Sequence, residues 1–573
     1  MTVIATAGHV DHGKSSLVAA LTGTDPDRWA EEKARGLTID LGFAGMALPS
    51  GREVSFIDVP GHIRFLRNML AGVGAVDACL FVVDAAEGWK PQSEEHLRIL
   101  ALLGMERGVI ALTKVDTVDD DLRELAELDV EEHVAGTFLA AAPVIGVSSV
   151  TGEGLDGLTA ALDTLVDLAA PPAAAGEARL WIDRSFAPAG AGTVVTGTVL
   201  NGPIGVGDEL EVVPGGRTVR VRSLQSHHRG VERIEPGNRA ALNLSGVAHH
   251  DLGRGDVLVT PGAWFRTRSV DAELTVLAAL AQPVGRRGAY AAYIGSAELQ
   301  ARLRVIGAEE IRPGATAPVR LWFDRPMPLR PGDRFILRES GRDATVGGGE
   351  ILDVDPVLPL RRAAPDRSVR RLVAERGWVE ADRLRLLSGQ DTPPTVGRWV
   401  VDDEILAATV ARVGGLIEAA GPLGLDVASL DERERAVIDR VPLVELEAGR
   451  ATIGAPADPL ADHPWLAALE AAPFSPPGPD GIDRGEVRAL VRRGRVVEQD
   501  GVFFAAAAID DAGLRLGQAL RTQADGLTVA EVRDLLGTTR KYALALLAHL
   551  DATGVTRRRD DVRIAGPRMP NTE

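Results

Sequence analysis

The stretch Gly8-His9-Val10-Asp11-His12-Gly13-Lys14-Ser15 constrains this chain more than any other. It follows the apolar run Thr2 to Ala7 and precedes the helical pattern Ser16-Leu17-Val18-Ala19-Ala20-Leu21. A strand, a glycine-bearing loop and a helix start, in that order, make a cradle for a polyphosphate. Successive backbone N–H groups turn inward, and the helix N-terminus adds partial positive charge behind them. In such a loop Lys14 reaches the β- and γ-phosphates and the Ser15 hydroxyl ligates Mg²⁺. Gly8 to Ser16 are therefore expected to bind nucleotide.

A nucleotide switch needs three further parts, and candidates for all three follow in order. The first lies in Arg35-Gly36-Leu37-Thr38-Ile39-Asp40, where Thr38 can place a hydroxyl on Mg²⁺ while a γ-phosphate is present. The second is Asp58-Val59-Pro60-Gly61-His62, at the end of the apolar run Ser55-Phe56-Ile57. Asp58 suits a water-mediated contact to the metal. Gly61 lets a backbone N–H approach the γ-phosphate. His62 stands where a side chain orients the attacking water, as the catalytic residue. The third is Thr113-Lys114-Val115-Asp116, after the strand Val109-Ile110-Ala111-Leu112. The Asp116 carboxylate can accept from N1–H and the N2 amine of guanine, which selects GTP over ATP. The Lys114 stem can lie along the base. Ser148 and Ser149, after Val144-Ile145-Gly146-Val147, can close over the guanine O6. Together these pieces predict an α/β nucleotide domain over residues 1–170.

Bulk composition sets outer limits. A chain of 573 residues is too long for one core, so several domains are expected. The one cysteine, Cys79, excludes an intramolecular disulfide, and its apolar surroundings predict a buried thiol. No apolar run is long enough to span a bilayer, and the chain enters a strand directly rather than a signal peptide. A cytoplasmic protein without a membrane partner is expected. The net charge of −18, from 81 acidic and 63 basic residues, argues against indiscriminate nucleic-acid binding but leaves room for local basic surfaces.

The set Gly8–Ser15, Arg35–Asp40, Asp58–His62, Thr113–Asp116 and Ser148 resembles the translational GTPases of the elongation factor Tu group. The usual base-reading motif begins with Asn, and here Thr113 takes that place. That departure, with Arg35 to Phe43, is similar to the selenocysteine-specific elongation factors. The resemblance implies GTP and GDP as ligands and a GTPase activity stimulated by the ribosome.

From about residue 177 the pattern changes to short strands separated by glycine turns, which predicts small β-barrels. Leu180 to Arg184, Thr193 to Val199 and Asp208 to Val213 read as strands of one barrel, over 177–262. A second barrel is expected over 265–358, with Arg330 to Arg338 and Gly347-Gly348-Gly349. The resemblance implies that these barrels and the nucleotide domain clasp an aminoacyl-tRNA, here selenocysteinyl-tRNA. Phe43, Arg184 and Arg239 match its aminoacyl pocket, where guanidinium groups favour an anionic selenolate over a neutral serine hydroxyl. The pairs His227-His228 and His249-His250 read as loop residues.

The remainder, 361–573, repeats a plan of helix, turn, second helix and hairpin, which predicts three or four tandem winged-helix units. In the last, about 510–566, Arg540 and Lys541 open the second helix and Arg557, Arg558 and Arg559 flank the hairpin. Those cations can grip the phosphates of an RNA stem-loop, and the resemblance implies a hairpin in a selenoprotein message. The fold expected is thus a multidomain chain: an α/β P-loop GTPase domain, two β-barrels and an α+β winged-helix array, acting as a monomer. Two other readings remain open: a general or initiator-tRNA carrier, and an RNA-binding regulator switched by nucleotide.

Overall fold

The computed structural model describes residues 2–26, 41–59, 76, 78–167, 176–190, 192–226, 229–286, 288–341, 344–454, 460 and 462–570. They divide into two compact units, Met1–Asp403 and Glu404–Glu573. Thr38, Gly61, His62 and the pair His227-His228 lie outside the described residues.

The first unit opens with a six-stranded sheet: β1 (Thr2–Ala7), β2 (Gly42–Ala47), β3 (Glu53–Asp58), β4 (Ala78–Asp84), β5 (Gly108–Thr113) and β6 (Val144–Gly146). Their order is β2-β3-β1-β4-β5-β6, parallel except for β2. A parallel sheet is covered on both faces, so its strands read as unbroken apolar runs. Along β4 the alternation is visible in three dimensions. Cys79, Phe81 and Val83 enter one core, while Ala78, Leu80 and Val82 enter the other. The helices α1 (Lys14–Thr22), α2 (Pro91–Leu102), α3 (Asp120–Val134) and α4 (Leu155–Asp167) supply the covering layers. The chain leaves β1 and returns on either side of it, as β3 and β4. That reversal opens a crevice at the carboxyl end of β1, where the glycine loop begins.

Two closed β-barrels follow in the same unit. In the first, the expected strand Leu180–Arg184 is interrupted: the structure has Arg179–Trp181 and Arg184–Phe186 as separate strands. Both pair with Thr193–Leu200, but the register slips by one residue between Leu180↔Val199 and Arg184↔Thr196. In the gap the Ile182 amide donates to Asp256 O and the Asp183 amide to Thr196 O. The second barrel runs Arg266–Val276, Thr316–Pro328, Ala297–Val305, Tyr290–Ile294, Arg334–Glu339 and Ala344–Asp353 around its ring. Its triple glycine is steric. A Cβ on Gly349 would lie 1.8 Å from the carbonyl oxygen of Glu273 on the adjoining strand. After the barrel, the helices Val369–Arg376 and Ala381–Ser388 place Leu372, Val373, Leu384 and Leu387 in the barrel's own core.

The second unit repeats the winged-helix plan. Pro464–Ala471 and Arg484–Arg492 precede the hairpin Val496–Gln499/Val502–Ala505. Val529–Leu536 and Arg540–Thr553 precede Thr556–Arg559/Val562–Ala565. The helix at Val529 starts where its sequence says it should. Thr528 and Glu531 form a reciprocal capping box, which satisfies two amide donors that the helix leaves open. Among the described residues no helix is long and apolar enough to cross a membrane.

Candidate functional site: a phosphate cradle and an arginine cleft

The loop after β1 has the geometry its sequence requires. Gly8 adopts φ of 127°, and a Cβ there would lie 2.1 Å from the carbonyl oxygen of Val82. No other residue fits that approach. Gly13, at φ of 87°, starts α1. Lys14 is buried, and its ammonium donates to the carbonyls of Gly8 (3.1 Å) and His9 (2.6 Å). Burial pulls its pKa down to about 8, against the pull of the Asp58 and Asp11 carboxylates. Ser16 is exposed on the same first turn.

Asp58 ends β3 fully buried. The Ser15 hydroxyl donates to its Oδ2 (2.6 Å) and the Thr6 hydroxyl to its Oδ1 (2.7 Å). Thr6 Oγ1 also accepts from the Val59 amide at 3.1 Å. A hydroxyl and a carboxylate thus meet beside the cradle, the hard oxygen pair that Mg²⁺ prefers.

The base-reading segment is brought to the same crevice. Thr113 ends β5, and its hydroxyl donates to the carbonyl of His12 at 2.7 Å, with Val83 O at 3.2 Å. Lys114, at φ of 58°, donates to Asp11 O (2.8 Å) and forms an ion pair with Asp84 (2.7 Å). Asp116 is exposed, and its carboxylate bonds to none of the described residues. The buried Ser148 hydroxyl accepts from the amides of Val150 (3.2 Å) and Thr151 (3.1 Å), which shapes the turn beside Ser149.

Three contributors were not read from the sequence. His96 Nδ1 accepts the Gly8 amide at 3.0 Å, Gln92 Oε1 accepts the Val10 amide at 3.2 Å, and Asp84 anchors Lys114. Gln92 and His96 stand four apart on α2, a spacing that puts both on one helix face. That spacing was the available signal. Burial lowers the pKa of His96 to about 3 and that of His12 to about 4, so both rings are neutral at ordinary pH.

A second cleft, of about 880 Å³, lies between the nucleotide domain and the first barrel. Phe43 of β2, Arg184 and Arg239 line it together. The two guanidinium carbons lie 5.1 Å and 3.5 Å from the Phe43 ring centroid. Arg184 also donates to the Leu41 carbonyl. Arg239 forms a bidentate pair with the buried Asp183, which accepts in addition from the Thr196 hydroxyl at 2.6 Å. Burial pushes the Asp183 pKa up, but Arg239 and the hydrogen bonds outweigh it and hold the carboxyl below its usual range. Asp183 and Thr196 were not anticipated, because nothing local couples them to Arg239, 56 residues away from Asp183.

In the second unit, Arg540, Lys541, Arg557, Arg558 and Arg559 are all exposed. Arg558 donates to the backbone carbonyl of Asp560 (3.0 Å) and Arg559 to that of Asp525 (3.1 Å).

A cradle at the carboxyl end of a parallel sheet, with a lysine inside it and an exposed carboxylate beyond, defines the chain as a P-loop guanine-nucleotide-binding protein. Comparison with known proteins makes this specific. Residues 1–168 match the family model for the elongation factor Tu GTP binding domain, and 192–259 that for elongation factor Tu domain 2. Residues 271–357 match the beta-barrel domain of selenocysteine-specific elongation factor, and 518–565 the winged helix of elongation factor SelB. The chain belongs to the elongation factor Tu family, in its selenocysteine-specific branch.

A selenocysteine-specific elongation factor from Desulfomicrobium baculatum is 42% identical over 351 residues, which are 61% of this chain and 55% of that protein. One from Escherichia coli is 37% identical, over 66% of this chain and 61% of that protein. The chain thus aligns with less than two thirds of either relative. Elongation factor Tu 2 from Streptomyces avermitilis is 33% identical, over 61% of this chain and 96% of that protein. Among solved structures, a bacterial selenocysteine-specific elongation factor superposes with a TM-score of 0.69 at 25% identity. That match covers 98% of this chain and 99% of the other.

Proposed function

We propose that the chain is a GTPase that delivers selenocysteinyl-tRNA to the ribosome at recoded UGA codons. The observation that carries this reading is the convergence of Arg184 and Arg239 on Phe43. Phe43 lies on β2, a few residues beyond Thr38, so one wall of the arginine cleft continues from the segment that would sense a γ-phosphate. A selenol is largely ionised at neutral pH and a serine hydroxyl is not. Two guanidinium groups in a partly desolvated cleft favour the anion.

In this reading Lys14 and the loop amides hold the phosphates, and Asp116, Ser148 and Ser149 hold the guanine. Ser15, Thr38 and, through water, Asp58 hold Mg²⁺, which supplies charge neutralisation on the phosphates. Gly61 offers its amide to the γ-phosphate, and His62 orients the attacking water once the ribosome positions it. Release of phosphate frees the Thr38 segment, and the tRNA departs. Arg540, Lys541 and Arg557 to Arg559 hold a stem-loop of the message, which raises the local concentration of the carrier beside one codon. Such a protein works as a cytoplasmic monomer.

The test compares binding of selenocysteinyl-, seryl- and bulk aminoacyl-tRNA with GTP and with GDP, alongside protection of the aminoacyl ester. GTP-dependent protection confined to selenocysteinyl-tRNA supports the reading. Equal protection of all aminoacyl-tRNAs favours a general carrier, and absence of any protection favours a nucleotide-switched regulator.

A further inference from the structure

The hydroxyl of Thr113 has one hydrogen, and the structure shows where it goes. Its neighbours within bonding distance are two backbone carbonyls, His12 O at 2.7 Å and Val83 O at 3.2 Å. Thr113 itself is buried, and its side chain lies in ordinary contact with the position a Cβ on Gly13 would take. The proton is therefore spent on the protein's own frame, and the oxygen can only accept from anything else. Guanine N7 is also only an acceptor. Two acceptors facing each other make no bond.

We infer that Thr113 is a positioning residue that straps the guanine-reading strand end to the phosphate loop and leaves purine N7 unread. Lys114 reinforces the strap through Asp11 O, one residue earlier in the same loop. Base selection then falls to the Watson–Crick edge, through Asp116 and the Ser148–Ser149 segment. An asparagine in this place would carry two N–H donors. It could give one to the His12 carbonyl and the other to N7, and so hold either guanine nucleotide longer. Thr113 thereby sets a looser grip on GDP and GTP alike while keeping the loop in order. The inference rests on guanine lying over Thr113 to Asp116, and the two premises separate experimentally.

The experiment measures equilibrium binding and release of GDP, 7-deaza-GDP (in which a C–H replaces N7) and IDP (which lacks the N2 amine), on the full chain. The unsubstituted protein should bind GDP and 7-deaza-GDP within about twofold of each other, since no donor is lost. Thr113→Asn should tighten GDP by about fivefold, the worth of one added hydrogen bond, and leave 7-deaza-GDP where it was. Thr113→Val keeps the volume and strands the His12 carbonyl. It should weaken GDP and 7-deaza-GDP by the same factor, about fivefold or more, because the loop loses its strap. Discrimination against 7-deaza-GDP by the unsubstituted protein, or unchanged affinity in Thr113→Val, would overturn the inference. IDP serves the other premise. Weaker binding of IDP than of GDP supports guanine over Asp116, and equal binding removes that placement whatever N7 does.

Discussion

The Gly8 amide donates to Nδ1 of His96 across 3.0 Å, so the first N–H of the phosphate cradle is held by α2, the helix that follows β4 in the chain. The bond requires a neutral ring, and burial supplies one, with a pKa near 3. His12, within the same loop, is held near 4. Both folded values lie below the unfolded value, so the unfolded chain takes up protons first as pH falls. The stability these rings contribute is full above about pH 6.5 and is lost on acidification toward pH 4. Between pH 7 and pH 5 each ring should cost about 2 kcal/mol. Thermal melts across that range should show the loss. His96→Gln keeps an acceptor for Gly8 and removes the titration, so its melting temperature should depend less on pH. An unchanged pH profile would refute the role assigned to His96.

Lys14 makes nucleotide affinity pH-dependent in the opposite range. Its ammonium titrates near 8 among the loop carbonyls, and phosphates favour the charged form. The free protein loses this proton above pH 8, so binding there must take one up. GDP affinity should be flat from pH 6.5 to 7.5 and fall toward about tenfold per pH unit above 8. Calorimetry in buffers of different ionisation enthalpy would detect the proton uptake at pH 9. Lys14→Met should abolish both the uptake and most of the affinity.

Gly8→Ala tests the cradle by shape alone. The added methyl would meet Val82 O at 2.1 Å in a backbone conformation that L-residues avoid. The loop or β4 must shift, at a cost on the order of 2–3 kcal/mol. Nucleotide binding should fall by at least about a hundredfold, because the amides no longer converge. The far-ultraviolet circular dichroism of the barrels and winged helices should persist. Near-normal GDP binding would show that the loop tolerates the methyl.

Asp183 and Arg239 form a buried pair whose two substitutions should not be equivalent. Arg239→Ala strands a carboxylate with 7% of its side chain exposed and should destabilise the first unit by about 3–5 kcal/mol. Asp183→Asn keeps the Thr196 contact and frees Arg239. It should leave stability within about 1–2 kcal/mol and strengthen the pull of the cleft on small anions, read as chloride-dependent quenching or as tighter selenocysteinyl-tRNA binding. Equal destabilisation by both substitutions would mean that the pair acts only as packing.

The local pieces of the nucleotide site are legible in the sequence because each is dictated by backbone chemistry within a few residues. Gly8 and Gly13 mark φ values that other residues avoid, and Lys14 follows at fixed spacing. The unbroken apolar run of β4 likewise reports burial on both faces of a parallel sheet. What the sequence could not supply was partnership across distance. The halt at Ile182 and Asp183, which turns one expected strand into two, depends on Thr196, from the strand Thr193–Leu200, and on Asp256, from the loop before Val257–Val259. Gln92 and His96 look like ordinary helix residues until α2 is laid against the loop. Asp183 finds Arg239 only when the barrel closes. Steric and dihedral preferences act within a residue or a turn and can be read in order along the chain. Hydrogen bonds and ion pairs between buried side chains are chosen by whichever groups the packing brings within 3 Å, and that choice belongs to the tertiary structure.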